Sequence, residues 1–157
     1  YGQSRVYEVG PRPSGGPTSS GDVEHIVLAG PVIAYAFEEN VSDGGDVGAY
    51  ISRNLVIVRN LRTGRLLRTL PNGPSAPPDR IGGGYTTAVV VKRDGAVAWT
   101  TESQGPQGRE YTVRAVDKEG EERVLASGSD VARASLALVG STLYWTQAGR
   151  AMSAPLN

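Results

Sequence analysis

The sequence predicts an all-β chain built from antiparallel four-stranded meander units. With 21 glycines and 10 prolines among 157 residues, the chain is interrupted at short intervals, which favours many short strands over long helices. One pattern of apolar strand, tight turn and aromatic-bearing strand occurs three times, in 25–37, 89–101 and 135–147. A second hairpin with its own glycine turn follows the first two copies, in 54–70 and 110–125.

The first hairpin of each unit pairs an apolar first strand with an aromatic second strand. Aligned on their turns, the second strands carry an aromatic residue at one shared position: Tyr35, Trp99 and Trp145. An aliphatic residue lies two places earlier in each: Ile33, Val97 and Leu143. Side chains alternate along a strand, so these two positions share one face. We expect Trp99 and Trp145 to be buried at equivalent places.

The second hairpin supplies the third and fourth strands of a unit. Aligned on Gly64 and Gly120, its two copies place Ile57 at the same position as Val113. Glycine fits these turns because it adopts positive φ at low steric cost. Residues 55–58 are apolar at four successive positions, which predicts a strand covered on both faces.

These hairpins divide the chain into units at about 25–70, 88–125 and 135–157, preceded by an N-terminal region, 1–24. That region contains a strand-like stretch at 4–9 and a linker rich in Gly, Pro and Ser. The third unit has only three predicted strands, and the stretch 4–9 is a candidate to complete it. The sequence opens on Tyr1 rather than Met, which predicts a processed form or an excised fragment.

The repeated units resemble blades of bacterial β-propellers, in the broad group of WD40-like, PQQ-like and TolB-like repeats. The resemblance rests on the hairpins "VIVRNLRTGRLLRTL" and "TVRAVDKEGEERVL" and on the strands "GAVAWT" and "STLYWT". It implies about two full blades with partial blades at the ends. The Gly-His and Trp-Asp signature of WD40 repeats and the tryptophan-docking motifs of quinone enzymes are missing. A β-sandwich of eight to ten strands is the alternative fold.

Propellers close with about 4–8 blades, so this number of units predicts either a piece of a longer propeller or self-association. In the second case, copies of the chain complete one another. In the first, the remainder of the ring belongs to the same longer chain.

Composition excludes several chemistries. The 16 basic and 16 acidic residues balance, so no overall attraction to nucleic acid is expected. The sequence has no cysteine and no apolar run of about 18 residues, so neither thiolate chemistry nor a membrane span is predicted. His25 is the single histidine, and no G-x-S-x-G motif accompanies it. No catalytic, cofactor or metal site is predicted, and the chain is not expected to be an enzyme.

Two charged stretches allow two interpretations each. The acidic stretch 37–46 could offer carboxylates to calcium, but it lacks the EF-hand spacing, and a solvated loop is favoured. The arginine-rich stretch 53–68 could bind phosphate, but no aromatics are interleaved with it. A charged outer hairpin, protected from edge-to-edge pairing, is favoured there.

The meander order predicts where a partner binds. Short turns alternate with long connections, expected at 38–49, 71–85, 102–109 and 126–134, so all the long connections lie on one face. The candidate partner-binding residues on this face are Glu38, Glu39, Asp43, Asp46, Arg80, Tyr85 and Arg109. The sequence thus predicts a non-enzymatic binding or scaffold module for a protein or glycan, in an extracellular or periplasmic setting. The alternatives are a non-catalytic fragment of a larger secreted propeller enzyme and a purely structural scaffold.

Overall fold

The structure, a computed structural model, describes residues 20–42, 50–72, 84–105 and 108–157. These residues form β-strands, turns and connections and contain no helix, which confirms the all-β prediction. The predicted strand at 4–9 lies outside the described residues, as do Asp43, Asp46 and Arg80.

The strands form three antiparallel sheets, one for each predicted unit, and none of these sheets closes on itself. Sheet 1 contains β1 (Ser20–Ala29), β2 (Val32–Ser42), β3 (Tyr50–Asn60) and β4 (Arg65–Pro71). Sheet 2 contains β5 (Tyr85–Val91), β6 (Val97–Gly105), β7 (Gly108–Val116) and β8 (Glu122–Gly128). Sheet 3 contains β9 (Ala137–Val139), β10 (Thr142–Gln147) and β11 (Arg150–Pro155). Within each sheet, strands that are consecutive in the chain are neighbours, as a meander requires.

The turn between β5 and β6 shows how local chemistry fixes a hairpin. Gly95 has a φ of 91°, and the Oδ1 atom of Asp94 accepts a hydrogen bond from the Ala96 N–H at 3.0 Å. The Lys92 ammonium lies 3.2 Å from the other carboxylate oxygen. Burial alone raises the pKa of Asp94, but the Ala96 hydrogen bond and Lys92 outweigh it, so the pKa lies below its usual value.

The three aligned aromatics are buried and face the same way along the stack of sheets. Trp99 lies in the core between sheets 1 and 2, and Trp145 lies in the core between sheets 2 and 3. Their side chains are 0% and 5% exposed, which confirms the predicted burial. Each tryptophan therefore faces the preceding unit. Tyr35 is also fully buried and lies on the face of sheet 1 opposite sheet 2, so it has the equivalent orientation.

The predicted equivalence of Ile57 in sheet 1 and Val113 in sheet 2 is wrong by one residue. Tyr35 pairs with Ile57, whereas Trp99 pairs with Arg114 and not with Val113. Val113 consequently packs toward sheet 3, on the face opposite Trp99. Alignment on the turn glycines missed this shift because β3 and β7 pair with their aromatic strands in registers one residue apart.

The fourth strand of each complete unit connects its sheet to the following sheet. A β-bulge in β4 leaves Leu67 unpaired, and a bulge in β8 does the same to Leu125. Leu67 packs against the core between sheets 1 and 2, and Leu125 packs against the cores between sheets 2 and 3. Both bulges thus place a leucine against the next unit.

Arginines on β4 and β8 form hydrogen bonds between neighbouring sheets, at the end where the turns are short. Arg68 donates hydrogen bonds to the carbonyl oxygens of Asp117 and Lys118 at 2.8 and 2.7 Å. Arg123 donates to the carbonyl oxygen of Pro155 at 2.9 Å and contacts the carboxylate of Asp117. In both units, an arginine of the fourth strand binds backbone at the end of the following unit's third strand.

Candidate functional site

The two ends of the sheets differ. We call the end formed by the turns at 30–31, 61–64, 92–96, 117–121 and 140–141 the short-turn end. At the opposite end, which we call the long-connection end, β2, β4, β6 and β8 end, and residues 129–136 connect β8 to β9. The predicted loop at 102–109 is wrong, because β6 and β7 remain paired as far as Gly105 and Gly108. The loop predicted at 38–49 is likewise shorter, because β2 and β3 pair as far as Ser42 and Tyr50.

The four described candidate residues lie on strands rather than in loops. Glu38 and Glu39 are adjacent on β2 and therefore lie on opposite faces of sheet 1. Tyr85 is the first residue of β5, and Arg109 is the second residue of β7. The structure brings Tyr85 and Arg109 together around a residue that was not among the candidates, Glu102.

Glu102 is the centre of a charged cluster on the face of sheet 2 that packs against sheet 3. It pairs with Tyr85 on one side and with Tyr111 on the other. Its side chain is 15% exposed, and its Oε1 atom lies 3.3 Å from the Nε atom of Arg109. Its Oε2 atom lies 3.2 Å from the Nε atom of Arg133. One largely buried carboxylate therefore lies within ion-pair distance of two guanidinium groups. Tyr85, Glu102, Arg109 and Arg133 are called the Glu102 cluster below.

Arg133 reaches this cluster because its backbone is held in place by sheet 2. The Oγ1 atom of Thr87 donates a hydrogen bond to the carbonyl oxygen of Arg133 at 2.6 Å. Thr87 is the extra residue of a β-bulge in β5 and is buried. At the entry to β5, a Cβ on Gly84 would lie 2.9 Å from the Glu102 carbonyl oxygen, so glycine permits this close approach.

The exposed atoms of the cluster are hydrogen-bond donors and an aromatic ring. The side chains of Arg109 and Arg133 are 65% and 64% exposed, and Tyr85 is 55% exposed. Both arginines contact Glu102 through Nε, and their terminal nitrogens make no hydrogen bond within the described part of the chain. Two guanidinium groups and one carboxylate give a net charge of one positive unit. Such a surface can bind an anionic group.

Sequence reasoning missed Glu102 and Arg133 as site residues. A signal for Glu102 was present, since it follows Trp99 by three residues as Glu38 follows Tyr35. Glu38 was a candidate, so the alignment placed Glu102 at the equivalent position. Nothing in the sequence marked Arg133, because its place depends on the bulge at Thr87 and on the packing of sheet 3 against sheet 2.

The single histidine and the possible metal ligands were the other chemical groups considered from the sequence. His25 lies on β1, with its Nε2 atom 4.0 Å from a Glu24 carboxylate oxygen. Among the described residues, no group of three or more His, Cys, Asp or Glu side chains is arranged to hold a metal ion. These residues also contain no helix that is long and apolar enough to cross a membrane.

The sequence matches no model of a known protein family, and no curated protein or solved structure is significantly similar to it. Function is therefore inferred from the geometry of the chain itself.

Proposed function

We propose that the chain is a non-enzymatic β-propeller-like binding module whose protein or glycan partner docks at the long-connection end. The observation that carries this proposal is the Glu102 cluster, in which a largely buried carboxylate forms ion pairs with two exposed arginines beside an exposed tyrosine. Arginine and tyrosine are enriched at the centres of binding interfaces. Holding them in place beforehand lowers the entropic cost of binding.

The arrangement of the sheets supports the propeller-like part of the proposal. The first strands of successive units contact one another, β1 with β5 and β5 with β9. Blades arranged around a common axis bring their first strands together in this way. The repeated orientation of Tyr35, Trp99 and Trp145 indicates that each sheet meets the preceding one through the same face.

The contacts at the short-turn end favour the long-connection end as the place where a partner binds. Turns at the short-turn end are joined across sheets by Arg68 and Arg123, each of which donates hydrogen bonds to backbone carbonyl oxygens of the next sheet. Binding residues are commonly displayed at one end of a rigid scaffold. At the long-connection end, by contrast, the terminal nitrogens of Arg109 and Arg133 have no partner among the described residues.

The test is a screen of the chain against a glycan array and a random peptide library. A double variant, Arg109→Gln with Arg133→Gln, removes the exposed charges of the cluster. The matched control, Arg62→Gln with Arg65→Gln, makes the same charge change at the exposed short-turn end. We expect selected ligands to bind the wild type and the control and to lose binding to the cluster variant. Ligands that bind the cluster variant undiminished, or no ligand at all, would contradict the proposal.

The alternative function is a non-catalytic portion of a larger secreted propeller enzyme. One observation favours it: the face of sheet 3 directed away from sheet 2 exposes Val139 by 68% and Tyr144 by 42%. Ala98, which precedes its aromatic as Tyr144 does, is instead fully buried against the next sheet. Further repeats in the parent reading frame, with His and acidic residues on their loops, would support this alternative.

A further inference from the structure

We infer that the Glu102 cluster recognises carboxylate side chains in an acidic segment of a protein partner. This inference rests on the proposed function and names the partner's chemistry. Each guanidinium group contacts Glu102 through Nε, so its terminal nitrogens remain available to a ligand. Those nitrogens form a planar fork that matches the two oxygens of a carboxylate.

The charge of the cluster favours a carboxylate over a nucleic-acid backbone. Arg109 and Arg133 together exceed the charge of Glu102 by a single unit, which one carboxylate neutralises. Nucleic acids bind through many basic contacts along a continuous charged surface. The Glu102 cluster presents two arginines, which is fewer basic contacts than such a surface requires.

The exposure of the cluster favours a protein over an acidic glycan. Arg109, Arg133 and Tyr85 are each more than half exposed, so they project from the protein surface. Small-molecule and sugar sites are usually concave and bury most of the ligand. A projecting arginine pair beside a tyrosine instead needs a partner that supplies its own surface around them, as a protein does.

The test measures binding of fluorescein-labelled hexaglutamate by fluorescence anisotropy at low salt, with labelled hexaglutamine and hexagalacturonate in parallel. We expect hexaglutamate alone to bind the wild type. The Arg109→Gln and Arg133→Gln double variant should weaken binding about tenfold or more, the range for losing charged hydrogen bonds. The Arg62→Gln and Arg65→Gln control should bind as the wild type does. Replacing Arg109 and Arg133 by Lys should give intermediate affinity, because an ammonium group cannot form the planar fork.

The outcomes separate this inference from the proposed function. Equal binding of hexagalacturonate, lost in the same variant, would overturn the choice of protein and leave a binding role for the cluster. Absence of hexaglutamate binding at millimolar concentration would overturn the inference alone if ligands from the unbiased screens still require Arg109 and Arg133. If no ligand of any class depends on these arginines, both proposals fail. Matching thermal melts of all variants would show that the fold is unchanged.

Discussion

At the scale of single residues, Tyr35, Trp99 and Trp145 act through packing. The Tyr35 hydroxyl and the indole nitrogens of both tryptophans are buried and have no hydrogen-bond partner among the described residues. An unsatisfied buried polar atom costs free energy, so hydrogen bonding does not explain why aromatic residues lie at these positions. The apolar area and shape of the rings account for their presence.

Replacing Trp99 by Ala is expected to lower the free energy of unfolding by about 3–5 kcal/mol, the usual range for a fully buried large aromatic. The cause is a cavity between sheets 1 and 2, where Trp99 packs with valines of both sheets. Tyr85→Ala serves as the control, because that residue is 55% exposed. Chemical denaturation measures both variants. In a Trp145→Phe background, strong acrylamide quenching of Trp99 would contradict its burial and indicate a ligand platform instead.

At the scale of elements, the fourth strand of a unit connects its sheet to the next one. β4 places Leu67 in the adjoining core and Arg68 against backbone carbonyl oxygens of sheet 2. β8 repeats both features toward sheet 3 with Leu125 and Arg123. The arginine-rich hairpin that includes β4 was predicted to be a charged outer hairpin, and Arg62 and Arg65 are indeed exposed. Arg68 has a different role, because the bulge at Leu67 changes which neighbouring groups the strand reaches.

Replacing Arg68 by Ala is expected to destabilise the chain by about 1–3 kcal/mol. The substitution removes the charged donor of the carbonyl oxygens of Asp117 and Lys118. Hydrogen bonds from charged groups contribute about this much to the free energy of unfolding. Arg65→Ala, an exposed substitution on the same strand, should change stability by less than about 0.5 kcal/mol. Thermal and urea denaturation of both variants provide the comparison. Equal effects at the two positions would show that Arg68 does not join the sheets.

At the scale of the whole molecule, sheet 3 has an exposed apolar face and, among the described residues, no fourth strand. Sheet 3 exposes Val139 and Tyr144 on the face away from sheet 2, and β11 has a strand on only one side. In sheets 1 and 2 the equivalent third strands, β3 and β7, each have a fourth strand beside them. Exposed apolar faces and open strand edges promote association.

We therefore predict that the chain expressed alone is an oligomer or only marginally stable. Deleting residues 1–10 should worsen this behaviour if the stretch 4–9 pairs with β11. Tyr144→Lys, a charged substitution on the exposed face of sheet 3, should instead reduce association. Light scattering across a dilution series, combined with thermal melting, measures all three chains. A stable monomer that resists dilution and is unaffected by the deletion would contradict the prediction and favour the β-sandwich.

The sequence by itself determined the hairpins and their order. Turn glycines and strand alternation act between residues close in the chain, so the short turns, the three units and the burial of Trp99 and Trp145 were all predictable. Tyr85 and Arg109 were also selected in advance, although for the wrong reason, since both lie on strands rather than in loops.

The tertiary structure alone decided how the units face one another and which charges meet. Arg133 contacts Glu102 only because Thr87 holds its backbone and sheet 3 packs against sheet 2. Arg114 rather than Val113 lies opposite Trp99 because pairing between strands, and not the turn, sets the register. Contacts of this kind join residues distant in sequence, and their geometry depends on bulges and packing that no local pattern specifies.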